Sequence, residues 1–578
     1  MLPAASRYLL AGLVVVYAGV HAIQIRFVAV TQGIPDALGL VISAVCPWAV
    51  TALVFFGSGP RSERPGADGG PARRKWAVVA IVFSVAVSAL WALWRSNGYP
   101  LILDEDLYLF QANLFRHGHL VWSIPAAWQR FVAIQQAVVS DSRVYSQYPP
   151  GWPGMLAAWS MVAPSWLLGP VLMGVVVASA WQVGRALFGS TVAVITAIVA
   201  ATSGSLLYWG ATLMSDLPTA SIVAASAAAI TLGARRDRRR SYAWAAASGG
   251  LLGLAFAMRP LTAVSAAPLV LVVAAWSWAP ELRTGWPRLL AGLGVMVLAG
   301  LPILAGVLAY NFATNGRVLT FGYDQANGSL HHLGFGLRGF VLFDQWGRAE
   351  VSSMPFTVRT AIAASGRQLA AFDQALFGGF LLPVVSATVI LRCFPRRLWV
   401  LLAAATALPL IHLFWFFTDS RYYLPLAPFL AVPVAACLPA ALRSTAGLAR
   451  RFGVIVIASN LALPVAGTIF DGYWGSPLTR DRTTVAVHAA LREHRRVFGP
   501  TLLFVSEQGT KAPILWRLYP LNSERDPSRP ILVLRDLGPD NAGVVRSYPG
   551  WSVLCVDGAP ARAPWLVAPP DGLTCASK

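Results

Sequence analysis

The sequence predicts an all-α polytopic membrane protein of about 13 crossings, followed by a small extracytoplasmic α/β domain. Three observations carry this. The chain is 56% hydrophobic and 12% charged over 578 residues, a surface that a water-soluble fold cannot keep in solution. Apolar runs long enough for about 30 Å of hydrocarbon recur from Tyr8 to Phe470. Basic clusters fall in the short segments between those runs, where orientation in the membrane explains them better than nucleic acid does, despite a formal net charge of +20.

Taken in order, spans are expected near 8–30, 36–57 and 76–95. The linker before the third carries Arg61, Arg64, Arg73, Arg74 and Lys75, so it is cytoplasmic by the positive-inside rule, as is the N-terminus. Residues 96–150 then form an outer loop. The stretch 151–184 holds two short spans or one span with a surface or re-entrant helix, and charge favours a single net crossing. Spans near 191–208, 217–233, 242–258, 262–279, 289–312, 376–391, 398–416, 422–441 and 452–470 then leave the clusters at Arg235–Arg240, Arg283–Arg288, Arg392–Arg397 and Arg443–Arg451 inside. Three units result: a two-span segment with its linker (1–75), a membrane domain (76–470) with outer loops 96–150 and 313–375, and a soluble tail (471–578). The first apolar run is too long for a cleavable leader and is expected to stay as an anchor. Usage rich in Ala, Arg and Pro suits a GC-rich bacterial genome, which makes the expected location the inner (plasma) membrane.

This topology gathers the ionisable residues on one side. Asp104, Glu105 and Asp106 lie in the first outer loop, Asp216 and Arg259 at outer ends of spans, and Asp419 and Arg421 in a short outer turn. Charge at a membrane edge is costly unless paired or hydrated, so this convergence defines a candidate site. The three acids begin an amphipathic helix and suit its positive N-terminus, where carboxylates also serve as simple caps. A carboxylate raised in pKa by like charge and partial desolvation can instead take a proton from a hydroxyl. Asp104 and Asp106 can also pair on Mg²⁺ or Mn²⁺, the one metal choice the sequence leaves open, and no other cofactor is called for. Arg421 and Arg259 can hold a phosphate or merely anchor helix ends at the interface. His331 and His332 lie in the second outer loop, where solvation is the ordinary fate of paired histidines.

Several segments together resemble membrane-embedded GT-C glycosyltransferases. The Asp104-Glu105 pair ahead of Tyr108 is similar to their first outer loop, and Tyr148-Pro149-Pro150-Gly151-Trp152-Pro153 to the segment leading into the next helix, with Tyr148 where the family often has Lys. Ser215-Asp216-Leu217-Pro218 resembles their acidic helix end, Asn311 through Tyr323 the start of the large outer loop, and Ser420-Arg421-Tyr422-Tyr423-Leu424-Pro425 the Arg-Tyr turn near the lipid phosphate. The nearest group is the family 39-like, phospholipid-carrier-dependent enzymes, which include protein mannosyltransferases and aminoarabinose transferases. The resemblance spans roughly residues 76–470. It implies transfer of a sugar from a polyprenyl-phosphate donor to a hydroxyl of a glycan, lipid or protein acceptor at the outer face, with inversion. It further implies Asp104 as base, with Glu105 orienting the acceptor or sharing the proton. Arg421 and then Arg259 would hold the donor phosphate, and Asp216, Tyr108, Tyr422 and Tyr148 would contact substrate. The bilayer and the lipid-linked sugar are the expected partners, and nucleic acid is not. A polytopic transporter or lipid flippase is the alternative, although no internal repeat or mid-span charge supports it.

The tail differs in composition. Thr501–Val505, Ile531–Leu534 and Ser552–Val556 read as strands, with a helix near Thr483–Arg495. Cys555 and Cys575 can form a disulfide in an oxidising compartment, whereas Cys46, Cys393 and Cys437 lie in or beside spans.

Overall fold

The computed structural model describes residues 71–100, 102–140, 142–234, 237–278, 282–377 and 396–442, together with 488–491, 493, 499–506, 515–523, 530–556 and 566–567. The spans expected at 8–30, 36–57 and 452–470, most of 376–391, and Cys46, Cys393 and Cys575 lie outside the described residues.

Among the described residues, six helices are long and apolar enough to cross a membrane, or seven if one bent pair counts as a span. The six are Arg74–Trp94, Ser165–Phe188, Asp216–Gly233, Arg239–Met258, Pro260–Trp278 and Trp286–Asn315. Asp216–Gly233 is enclosed almost all round and forms the centre of the bundle, whereas Trp286–Asn315 shows most of its surface. Small residues allow the close packing. Gly249 approaches the backbone of Met296 so tightly that a Cβ would collide with it, a use of glycine common where transmembrane helices touch.

Helix ends follow local chemistry. The Asp237 side chain accepts from the Arg240 amide at 2.9 Å and starts the helix Arg238–Met258. Pro218 sits in the first turn of Asp216–Gly233, where its missing N–H costs nothing. The ambiguous stretch 151–184 resolves into a short helix, Gly151–Trp159, and one long one, Leu168–Phe188.

Three expectations need correction. The span placed at 191–208 is broken into Ser190–Ala201 and Gly204–Gly210 with a 60° bend. Thr202 turns its hydroxyl back to the Ile198 carbonyl at 2.9 Å while Ser203 caps the second piece, so one helix stops and another begins. The segment 313–375, expected as one long outer loop, is built of a short helix (Gly322–Asn327), an antiparallel hairpin (Gly336–Phe343 with Ala349–Phe356) and a helix (Val358–Phe377). The spans expected at 398–416 and 422–441 are interrupted. Short helices Arg396–Ala405 and Ala407–His412 precede an irregular turn, then a 3₁₀ segment Ser420–Leu426 leads into Ala427–Leu442.

The segment between the helices Arg74–Trp94 and Gly151–Trp159 opens with the helix Leu103–Arg116 and closes with a three-stranded antiparallel sheet. In the tail, three parallel strands and one antiparallel strand form a sheet in which Thr501–Val505 lies between Ile531–Arg535 and Ser552–Val556. Cys555 is disulfide-bonded. The tail docks on that same segment. The Arg535 guanidinium donates to the Ala133 carbonyl at 2.6 Å, the Tyr519 hydroxyl donates to the Val132 carbonyl at 2.8 Å, and the rings of Phe110 and Tyr519 pack with centroids 5.0 Å apart.

Candidate active site

The site begins at the first turn of the helix Leu103–Arg116, where three successive acids point in three directions because each residue advances about 100° around the axis. Asp104 faces Arg421, with Oδ2 3.6 Å from Nη2. Glu105 is buried and serves the backbone: Oε1 accepts from the Leu213 amide at 3.0 Å and Oε2 from the Ile102 amide at 3.3 Å. The Leu213 carbonyl in turn accepts from the indole of the fully buried Trp152 at 2.7 Å. One peptide segment is thus held from both sides, which fixes the entry to Asp216. Gly151 completes the clamp, since a Cβ there would lie 2.5 Å from the Ala257 carbonyl carbon, two residues before Arg259. The Pro-Pro-Gly-Trp-Pro string therefore works by placing backbone.

Asp106 points away from the site and is fully buried, with neither oxygen hydrogen-bonded. Burial, reinforced by the neighbouring Glu105 and Asp104 and opposed by Arg517, holds its carboxyl well above the usual carboxylate range. No group of three His, Cys, Asp or Glu suited to a metal occurs among the described residues. A group whose folded pKa is raised loses stability as pH climbs from its unfolded value towards the folded one. Asp106→Asn is accordingly expected to be more heat-stable than the parent in detergent, by a margin that is larger at pH 8 than at pH 5. A parent more stable than the variant at pH 8 would contradict this.

Two arginines and three carboxylates make the centre. Arg259 sits where Pro260 separates two helices, and it pairs with Asp216 while its guanidinium lies 4.8 Å above the Tyr422 ring. Arg421 is largely buried. Its Nε lies 3.5 Å from Asp419 and 4.0 Å from Asp216, and its guanidinium stacks between Trp209 and Tyr422 at 5.7 and 5.5 Å. The Asp419 side chain also accepts from the Arg421 amide at 3.1 Å, fixing the turn from which the side chain extends. Asp104, Asp216, Asp419, Arg259 and Arg421 thus converge from four separated segments of sequence.

An aromatic wall adjoins this network. The Tyr108 hydroxyl hydrogen-bonds Ser215 at 2.8 Å, and its ring lies 4.4 Å from that of Tyr148, which lies 5.6 Å from Tyr323. The Tyr148 hydroxyl donates to Gln136 at 2.6 Å. Tyr323 reaches the wall because Gly322 passes against Gln147, where a Cβ would stand 2.6 Å from the carbonyl oxygen. His331 continues the row, edge-on to Trp415 at 4.8 Å, while His332 is exposed and meets the Ser329 carbonyl at 2.9 Å. Burial pushes the His331 imidazole down to about 4, so it is neutral near pH 7. A depressed histidine contributes stability above its unfolded pKa of about 6.5, and that contribution is lost as pH falls towards the folded value. The melting-temperature advantage of the parent over His331→Gln is therefore expected to shrink between pH 6.5 and 4. An advantage that grows over this interval would refute the assignment.

All eight residues expected at the site lie in or beside this network, with Glu105 behind it. Sequence reading missed Trp209, Met214 and Tyr323 as site-lining groups. Met214 Sδ lies 3.9 Å from Arg421 Nη1. Their nearness to Asp216 and Gly322 in sequence was the available signal, but 22 tryptophans in the chain make any one of them inconspicuous.

The fold is similar to that of ArnT from Cupriavidus metallidurans in the apo state, with a TM-score of 0.50 and 13% identity over 80% of this chain and 86% of that one. ArnT from the same organism bound to undecaprenyl phosphate gives 0.48 at 13% identity, covering 82% and 88%. The apo oligosaccharyltransferase of Archaeoglobus fulgidus gives 0.42 at 13% identity, covering 84% and 67%. The described chain thus has an ArnT-like fold. By sequence, residues 156–304 match the family described as dolichyl-phosphate-mannose-protein mannosyltransferase, so the resemblance read from the motifs holds. That stretch contains Asp216 and Arg259 but neither Asp104 nor Arg421. No curated protein matches the chain.

Proposed function

We propose that the protein transfers a sugar from a polyprenyl-phosphate donor to an acceptor hydroxyl at the outer face of the membrane, with inversion at the anomeric carbon. The observation that carries this reading is the placement of Asp104 against Arg421, 3.6 Å apart, where a carboxylate base and a phosphate-binding cation adjoin one space. The Asp104 carboxylate takes the proton of the acceptor hydroxyl as the acceptor oxygen bonds to the anomeric carbon. The bond from that carbon to the phosphate oxygen breaks, and the lipid phosphate leaves on the opposite face. A phosphodiester becomes a phosphomonoester, so negative charge grows on the leaving group, where fixed guanidinium donors lower the barrier most. Arg421 is the principal donor. Arg259 is already closely paired with Asp216 and supplies the second.

The aromatic wall suits a sugar ring, since Tyr108, Tyr148 and Tyr323 offer flat faces with hydroxyls at their edges. Tyr422 lies beneath both arginines and keeps their charge oriented. Glu105 acts as a positioning residue through Leu213.

The test is release of polyprenyl phosphate from a panel of polyprenyl-phosphate sugars by the full chain in nanodiscs, supplied with an acceptor extract. Turnover of one donor, with the product sugar of opposite anomeric configuration, supports the reading. No turnover on any donor, together with movement of lipid or solute between leaflets or compartments, would replace it with transport.

A further inference from the structure

The hairpin Gly336–Phe343/Ala349–Phe356 and the helix that follows it have no part in the chemistry above, and their surface is unusual for a segment facing water. The turn of the hairpin is fixed to the soluble layer: Arg535 donates to the Asp344 carbonyl at 3.1 Å and Arg130 to that of Trp346 at 3.3 Å. The open end is fixed to the membrane bundle. The Gly334 amide donates to the Phe414 carbonyl at 2.8 Å, and Phe335 packs on Phe414 with centroids 5.4 Å apart. At about 3.4 Å per residue, such strands bridge the soluble layer and the helix ends.

Apolar side chains are exposed at the open end. Leu337 and Met354 on the strands are 52% and 43% exposed, and Val358 and Ile362, one turn apart on the helix, are 55% and 60% exposed. The charge that ordinarily guards an exposed strand is withdrawn. Arg338 is 8% exposed, with its guanidinium folded back onto the carbonyls of Gly334, Phe335 and Leu337. Glu350 remains exposed near the turn, at the soluble end. The apolar surface meets Phe414 through Phe335, and Phe414 is itself exposed just past the apolar helix Leu398–His412, in which Leu410 is exposed as well. A surface continuous with membrane helices meets the phase those helices meet.

We propose that the lower half of this hairpin and the first turns of the helix Val358–Phe377 are immersed in the outer leaflet, contacting phospholipid acyl chains. Arg359, exposed beside Val358, then stands at headgroup level, where a long cationic side chain is favoured. The immersed segment forms one flank of the aromatic row, because Phe340 packs on Phe416 and Phe416 on His331. This inference does not depend on the identity of the donor.

The test places a bimane label on a cysteine introduced at Met354, Ile362 or Glu350 in the full chain, with labelling of the parent subtracted. Each protein is reconstituted in phosphatidylcholine–phosphatidylglycerol nanodiscs with or without lipids carrying a nitroxide on the acyl chain. Labels at 354 and 362 are expected to be quenched several-fold more than the label at 350. Equal quenching at all three positions would overturn the proposal. So would protection of 354 and 362 without quenching, accompanied by cross-linking between two copies, which would make the face a protein interface. If Met354→Cys does not fold, Leu337→Cys, on the opposite face of the hairpin at the same end, reports the same depth.

Discussion

Asp104→Asn is expected to lower turnover by about 10²–10⁴-fold, the usual contribution of a general base, with the donor KM nearly unchanged. The amide is isosteric and still able to accept a hydrogen bond from Arg421, but it cannot take a proton. Stability is expected to hold or rise, because three carboxylates face two guanidiniums in the parent network and the variant makes that balance even. Full activity in a folded Asp104→Asn protein would remove Asp104 as the base. The neighbouring acid gives the contrast. Glu105→Gln keeps an oxygen for the Leu213 amide, so most of its activity should survive. Glu105→Ala leaves that buried amide unpaired and should cost about 1–3 kcal/mol of stability, measured by denaturation in detergent. If Glu105→Gln instead abolished turnover at unchanged stability, Glu105 and not Asp104 would carry the proton.

Membrane class and the gathering of Asp104, Asp216, Arg259, Asp419 and Arg421 were legible in the sequence for the same reason: charge is scarce in an apolar chain, and its cost at a membrane edge forces it into company. The division of labour within Asp104-Glu105-Asp106 was not legible. Three adjacent acids have equivalent local chemistry, and only the packing of Leu213 behind one and of the Arg517 segment near another separates the acid that meets Arg421, the backbone clamp and the buried acid. The break at Thr202-Ser203 was hidden by an apolar run that reads as continuous, since two small hydroxyl residues barely alter hydropathy yet redirect the backbone. The hairpin escaped notice because its exposed apolar residues lie on both faces, Leu337 and Val351 on one and Met354 on the other, so they give no alternating signal that stands out in a chain that is 56% hydrophobic.

Arg421 should show the other large effect, and it should show it twice. Its guanidinium lies within 4.0 Å of Asp104, Asp216 and Asp419, so Arg421→Ala leaves three carboxylates facing one another with Arg259 as their remaining close cation. Breaking a buried ion pair from one side typically costs about 3–5 kcal/mol, and the alanine variant is expected to lose both stability and activity. Arg421→Lys separates the two. It restores a positive charge, and with it most of the stability, but the ammonium lacks the planar fork that can meet Asp419 and a phosphate together. Turnover by the lysine variant should therefore stay well below that of the parent, with the deficit falling on kcat if the contact tightens as the phosphate leaves. Arg259→Ala should be milder in stability, because Asp216 keeps Arg421 as a neighbour. Combining Arg421→Lys with Asp104→Asn then tests whether the two groups act in one step. If they do, the double variant is little slower than the worse single one, whereas a fully multiplicative loss would mean that base and phosphate clamp work on separate barriers.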